Sequence, residues 1–184
     1  YMTQILITFN ILKEKKACCD GVEYFKSLEK QEWELMELIE RCVEDDIKDY
    51  IDNIPDFPKE GILYRDIQPL LKDQRVFKEA IKRMGSMVKV PDYWVAVESR
   101  GFLFASALSY KFGGGIKIIR KKGKLPNRHI LSVDYGLEYG TDTLEMTDDE
   151  NDGAKVVIVD DVFATGGTID AAMELCELAG YKVI

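Results

Sequence analysis

Histidine is almost missing from this chain, with His129 the only one. That scarcity argues against a metal centre built on imidazoles and against a His-based catalytic triad. Cysteine is sparse too: Cys18, Cys19, Cys42 and Cys176 include no CxxC pair and no zinc-ligand spacing. They read as reduced intracellular thiols. No apolar run approaches the roughly 20 residues of a membrane span. Residues 5–12 lean apolar but are short and lack the flanks of a signal peptide. A cytoplasmic protein is expected. Positive charge is also in deficit, with 25 Lys plus Arg against 33 acids and a formal net charge of -8. A general nucleic-acid binder is more often basic.

What remains is ordinary for a globular protein: 184 residues, 46% hydrophobic. The acidity is uneven. Residues 29–52 hold ten acids against three bases, so the rest of the chain is near neutral and its cations are free to cluster. In that segment Leu35, Leu38, Ile39, Cys42 and Val43 recur at helical spacing, and Ile47, Tyr50 and Ile51 extend the stripe. An amphipathic helix over 29–52 is predicted, stopping near Ile54-Pro55.

An α/β rhythm follows. Asp73 is placed to cap a helix through Val76, Phe77, Ala80, Ile81 and Met84. Trp94–Val97 and Ile116–Ile119 read as strands, Val156–Val159 as a buried strand, and Phe102–Phe112 and Ile169–Ala179 as helices. Stretches near 131–135 and 143–146 alternate like an antiparallel pair. Residues 120–130 read as a basic loop. Strands alternating with helices imply a mostly parallel sheet flanked by helices.

The chemistry concentrates in Val156–Thr168. A greasy strand delivers Asp160 and Asp161 to its carboxyl end, where open α/β sheets bind ligands. Ala164-Thr165-Gly166-Gly167-Thr168 then opens a helix whose free N–H groups and dipole suit a phosphate. Neither GxxxxGK[ST] nor GxGxxG describes this loop. Acids for sugar hydroxyls beside an anion cradle suit a ribose 5-phosphate. Glu98-Ser99-Arg100-Gly101-Phe102 is a second strand-to-helix turn, with Arg100 a fork for phosphate oxygens. Arg120-Lys121-Lys122-Gly123-Lys124-Leu125-Pro126 is dense in cations, and Gly123 suits a moving lid.

Val156–Thr168 resembles the phosphoribosyl-diphosphate (PRPP) motif of the type I phosphoribosyltransferases. The basic segment, Leu137-Glu138-Tyr139-Gly140 and Ile54–Ile67 narrow the resemblance to the adenine-using branch of that family. Tyr64 stands where the branch usually has Phe, and Asn127 where it commonly has Gly. The resemblance implies the type I fold, a central mostly parallel sheet flanked by helices with a small N-terminal hood. It implies transfer of the phosphoribosyl group of PRPP to adenine, giving AMP and pyrophosphate, with Mg2+ as cofactor and a homodimer as assembly. Asp160 and Asp161 are expected on the ribose, touching the metal only through water. Ala164, Thr165, Gly166, Gly167 and Thr168 are expected on the 5-phosphate. Ser99, Arg100, Arg120, Lys121, Lys124 and Tyr139 fall to pyrophosphate, with Glu98–Ser99 expected to be cis. Leu63, Tyr64 and Arg65 fall to adenine, and Glu138 with Arg100 to catalysis. Residues 1–53 are expected to form an extension ending in the acidic helix. Residues 54–184 would be the transferase domain with its hood, lacking the family's C-terminal end. The alternatives are a non-catalytic PRPP-binding regulator and a transferase for another base.

Overall fold

The computed structural model describes residues 45–126, 129–137, 140–148, 153–162 and 166–184. The chain divides into two compact units, one of Ala17–Arg83 and one of Tyr1–Lys16 with Met84–Ile184.

In the first unit, α1 (Asp45–Lys48) is followed by β1 (Asp52–Ile54), which pairs antiparallel with β2 (Tyr64–Asp66). The predicted acidic helix therefore ends at Lys48 and not near Ile54, while residues 29–44 lie outside the described set. Its last predicted stretch is instead strand, because ladder partners at residues 64–66 satisfy the backbone of residues 52–54. Between the two strands, Phe57–Pro58 is a cis peptide and the Asp56 carboxylate accepts the Gly61 N–H at 2.7 Å. The Phe57 and Tyr64 rings meet edge to face, 5.2 Å apart. The short α2 (Gln68–Lys72) precedes α3 (Gln74–Ser86). As the sequence implied, Asp73 caps α3, accepting the N–H groups of Arg75 and Val76 at 2.9 and 3.1 Å.

The second unit is built on a six-stranded sheet of order β5-β6-β4-β3-β7-β8. Its strands are β3 (Tyr93–Val97), β4 (Gly115–Lys121), β5 (Ile130–Leu137), β6 (Gly140–Thr147), β7 (Lys155–Val159) and β8 (Lys182–Val183). β3 lies between β4 and β7, parallel to both, and β8 is parallel to β7. β5 and β6 form the expected antiparallel pair, and β6 runs antiparallel to β4. Trp94 to Val97 are buried without a break, as a central strand covered on both faces requires. Val95 and Val97 join Val156, Ile158, Leu144 and Met146 in one cluster with α5 (Gly167–Leu178). Alternation leaves Trp94 and Ala96 for the opposite face. There α4 (Gly101–Phe112) packs on β3 and β4, and Trp94 Nε1 donates to the Gly113 carbonyl at 2.8 Å, closing that helix. Past Ala179, Gly180 adopts a φ of 75°. Its N–H reaches the Glu177 carbonyl at 3.0 Å, and the Tyr181 N–H reaches that of Cys176 at 2.8 Å. This is the paired hydrogen bonding that lets glycine end a helix.

Candidate active site

The carboxyl ends of β3 and β7 lie side by side because the two strands are parallel neighbours in register. Ser99 and Arg100 leave β3, and Asp160 and Asp161 leave β7. Gly101 sits so close to β7 that an added Cβ would meet the Val159 carbonyl oxygen at 2.4 Å. This contact is the reason for glycine there, since it lets Arg100 reach across to the acids. Arg100 Nε lies 2.9 Å from Asp161 Oδ2. The Glu98–Ser99 peptide is cis, as expected.

Asp160 and Asp161 are both buried. Asp160 Oδ1 accepts the Asp161 N–H at 2.8 Å. Asp161 Oδ2 faces the Arg100 guanidinium as an ion pair and has no further hydrogen-bond donor among the described residues. A carboxylate oxygen has lone pairs beyond one ion-pair contact, so acceptor capacity is left at Asp161 for a ligand's donors. Burial, with the neighbouring Asp161 carboxylate, pushes the Asp160 carboxyl up to about 7. Burial also raises Asp161, against the pull of Arg100. Two carboxylates face one guanidinium here, an excess of negative charge that suits a hydrated divalent cation. Among the described residues no cluster of three or more acid, histidine or cysteine side chains is arranged to hold a metal alone.

A pH dependence follows from Asp160. Folded, it keeps its proton up to about 7, whereas the unfolded group loses it near 3.8. Between these values the native state binds more protons, so stability from this group falls as pH rises. It is full below pH 3.8 and lost above 7. Thermal melts of the wild type minus those of Asp160→Asn are expected to slope downward across that window. A flat difference would refute the assignment.

Gly166, buried and with φ 90°, is the N-cap of α5, and among the described residues no side chain caps this end. The first N–H groups of α5, at Gly167 and Thr168, are thus left for an anion. Ala164 and Thr165 lie outside the described residues, as do Glu138 and Tyr139.

The cationic segment differs from its sequence reading. Arg120 and Lys121 are not loop residues but the end of β4, because β6 pairs with them through Glu145 and Leu144. Arg120 makes a two-point contact with Glu98, at 3.0 and 3.3 Å, and stacks over the Phe102 ring at 5.8 Å. The same Glu98 accepts the Lys121 N–H at 2.8 Å. The Arg120 hydrogen bond holds the Glu98 carboxyl below its usual range. Lys121 Nζ lies 3.0 Å from Asp142 Oδ2, which holds the ammonium above its ordinary value. The turn beyond is fastened to β6: Lys122 N–H to the Thr143 carbonyl at 3.1 Å, and Gly123 N–H to the buried Glu145 carboxylate at 2.9 Å. Lys124 is exposed on this turn. Sequence reasoning assigned no role to Glu98, Asp142 or Glu145. Their signal is a register between distant strands, which no local pattern carries.

Leu63, Tyr64 and Arg65 belong to the first unit, with Tyr64 and Arg65 in β2 opposite Ile54 and Asn53. Leu63 is exposed there, and Tyr64 and Arg65 are half-buried.

The family model "Phosphoribosyl transferase domain" matches residues 71–184. This chain belongs to the phosphoribosyltransferase family. Within the family it is 52% identical over 141 residues to a protein of Carboxydothermus hydrogenoformans named adenine phosphoribosyltransferase, covering 75% of this chain and 82% of that one. A protein of the same name from Hydrogenovibrio crunogenus is 51% identical over 140 residues, covering 73% and 78%. Among solved phosphoribosyltransferases, the adenine phosphoribosyltransferase of Thermoanaerobacter pseudethanolicus aligns with a TM-score of 0.72 at 47% identity, over 76% of this chain and 82% of that one. That of Saccharomyces cerevisiae aligns at 0.69 and 36% identity, over 76% and 82%. The yeast protein was solved with adenine and an imino-altritol bisphosphate. The type I fold, a mixed central sheet flanked by helices, is the one described above.

Proposed function

We propose that this protein is a purine salvage enzyme that transfers the phosphoribosyl group of PRPP to adenine, releasing AMP and pyrophosphate. The observation that carries this is the meeting of Arg100 with the Asp160–Asp161 pair beside the uncapped start of α5. It occurs in a chain half identical to proteins named adenine phosphoribosyltransferase.

Each residue then has a task set by its chemistry. Asp160 and Asp161 accept hydrogen bonds from the ribose hydroxyls and fix the sugar. Gly166 to Thr168, with Ala164 and Thr165, bind the 5-phosphate through N–H and hydroxyl donors. Breaking the bond at the anomeric carbon puts positive charge on the ribose and negative charge on the departing pyrophosphate. Ser99, Arg100, Arg120, Lys121, Lys124 and Tyr139 stabilise that leaving group, the term that dominates such a transfer. Mg2+, when bound, would neutralise further charge on the phosphates, with Asp160 and Asp161 the acids that would help hold it. Leu63, Tyr64 and Arg65 receive adenine, and Glu138 takes its proton.

Glu138→Gln is expected to lower kcat about 100-fold or more while KM for PRPP changes little. Steady-state rates across pH check this, and an unchanged kcat with an unchanged pH profile would remove the role. Apolar side chains exposed on α4 and β4 (Leu103, Tyr110, Ile116 and Ile118) support a homodimer. No helix among the described residues is long and apolar enough to cross a membrane, and the cytoplasm is the proposed location. The test of the whole reading is mass-spectrometric detection of AMP from PRPP, Mg2+ and a panel of bases. AMP from adenine is expected. No nucleotide product would leave a PRPP-binding regulator, and product from another base alone would reassign the acceptor.

A further inference from the structure

Glu98 stands where β3 gives way to the turn that carries Ser99 and Arg100, one step past the last paired residues, Val97 and Ile119. Its N–H donates to the Ile119 carbonyl at 3.0 Å and so continues the parallel ladder. One bond further along such a ladder, the Lys121 N–H would go to the Glu98 carbonyl. It goes instead to the Glu98 carboxylate, at 2.8 Å. The side chain thus takes over from the main chain where the backbone turns away. The same carboxylate receives Arg120 at two points, Nε on Oε2 at 3.0 Å and Nη2 on Oε1 at 3.3 Å. The Arg120 guanidinium also lies over the Phe102 ring, 5.8 Å from its centre. Phe102 is in the first turn of α4, next to the Gly101 whose close approach brings Arg100 to Asp161. Only 28% of the Arg120 side chain and 16% of the Glu98 side chain are exposed, which sets this contact apart from a loose, solvated surface pair.

We propose that Glu98 is a positioning residue for the pyrophosphate end of the site, fixing Arg120 and the end of β4 against the turn that carries Arg100. The proposal rests on the PRPP-binding reading above. A guanidinium has five N–H donors in one plane. Glu98 engages two of them, and the others can turn to phosphate oxygens. A carboxylate on its edge and a ring on its face hold that plane still. Arg120 is then ordered before the anion arrives, and the anion does not have to order a long side chain itself. Charge alone argues the other way. A carboxylate beside a phosphate-binding cation weakens the local positive field, so removing it would tighten pyrophosphate binding if charge were all that mattered. Positioning predicts weaker binding on the same substitution, and the sign of one measurement separates the two.

The experiment compares wild type, Glu98→Gln, Arg120→Gln and the double variant in AMP formation, with melting temperatures in parallel. Glutamine keeps an acceptor for the Lys121 N–H and loses the charged, two-point hold on Arg120. KM for PRPP is expected to rise about tenfold in Glu98→Gln, with KM for adenine within about twofold. A role confined to the fold would lower the melting temperature and the amount of active enzyme and leave KM for PRPP in place. On the Arg120→Gln background, Glu98→Gln is expected to add less than about twofold, because Glu98 acts through Arg120. Unchanged or lower KM for PRPP in Glu98→Gln, or effects that multiply in the double variant, would overturn the proposal. If Glu98→Gln melts much lower, Glu98→Asp decides, since it keeps the charge but draws the carboxylate back by one methylene. A rise of about threefold in KM for PRPP is expected there, and no rise would overturn the proposal. If wild type forms no AMP, the catalytic reading fails by itself. Calorimetric titration of the same proteins with magnesium pyrophosphate then tests the positioning role. Weaker binding to Glu98→Gln is expected, and equal or tighter binding, or none to wild type, would overturn it.

Discussion

Gly101→Ala is expected to abolish most AMP formation, by about 100-fold or more, and to destabilise the fold by roughly 1–3 kcal/mol. The new methyl group would stand 2.4 Å from the Val159 carbonyl oxygen and 3.4 Å from the Asp160 Cα. Both are backbone atoms, so no side chain can swing aside. Either the start of α4 moves away or the end of β7 does, and both movements pull Arg100 from Asp161. A shift of about 1 Å at a reacting centre is enough for a loss of this size. Activity and thermal melting of the variant check it. Wild-type rates together with a retained Arg100–Asp161 contact would show that the close approach is not needed.

Asp160→Asn is expected to act in opposite directions on activity and stability. Burial makes the charged form of this carboxyl unfavourable, as its pKa of about 7 records. At pH 8 the folded protein carries that charge, and the amide does not. The variant is expected to be more stable at pH 8 by about 1–2 kcal/mol, a melting rise on the order of 2–8 °C for a chain of this size. The amide oxygen can still accept the Asp161 N–H. What is lost is a charged acceptor for a ribose hydroxyl, and kcat/KM is expected to fall about 10- to 100-fold. A site that stabilises its ligand at the expense of the empty protein behaves in this way. A variant that loses stability and keeps activity would contradict both halves. The sign is informative because an ordinary core substitution lowers stability.

Much of this site could be read along the chain. Val156–Val159, Asp160, Asp161 and the glycine–threonine loop are contiguous, so strand, acids and helix start are one local pattern. Arg100 and Gly101 stand at a second strand-to-helix turn of the same kind. The Asp73 cap and the helix ended by Gly180 are local in the same sense: each depends on hydrogen bonds within a few residues. Helical periodicity carries the acidic helix past Lys48 because Tyr50 and Ile51 continue the apolar stripe. The rival conformation there draws its hydrogen bonds from residues 64–66, which helical periodicity does not see. Local pattern places Arg120 and Lys121 in a loop for a similar reason, since their strand partners, Glu145 and Leu144, come from an antiparallel return.

Residue type and local spacing were sufficient for the alternation of strands and helices and for the resemblance to one family. Those properties come from neighbours along the chain, where backbone geometry leaves few choices. The partners of the charges were settled only by the tertiary structure. Arg100 pairs with Asp161, Arg120 with Glu98 and Lys121 with Asp142 across separations that the sheet order closes. The closeness of Gly101 to Val159 is of the same kind. Charge pairing falls off within a few ångströms, and distance in space between strands is set by sheet order and register, not by distance along the chain.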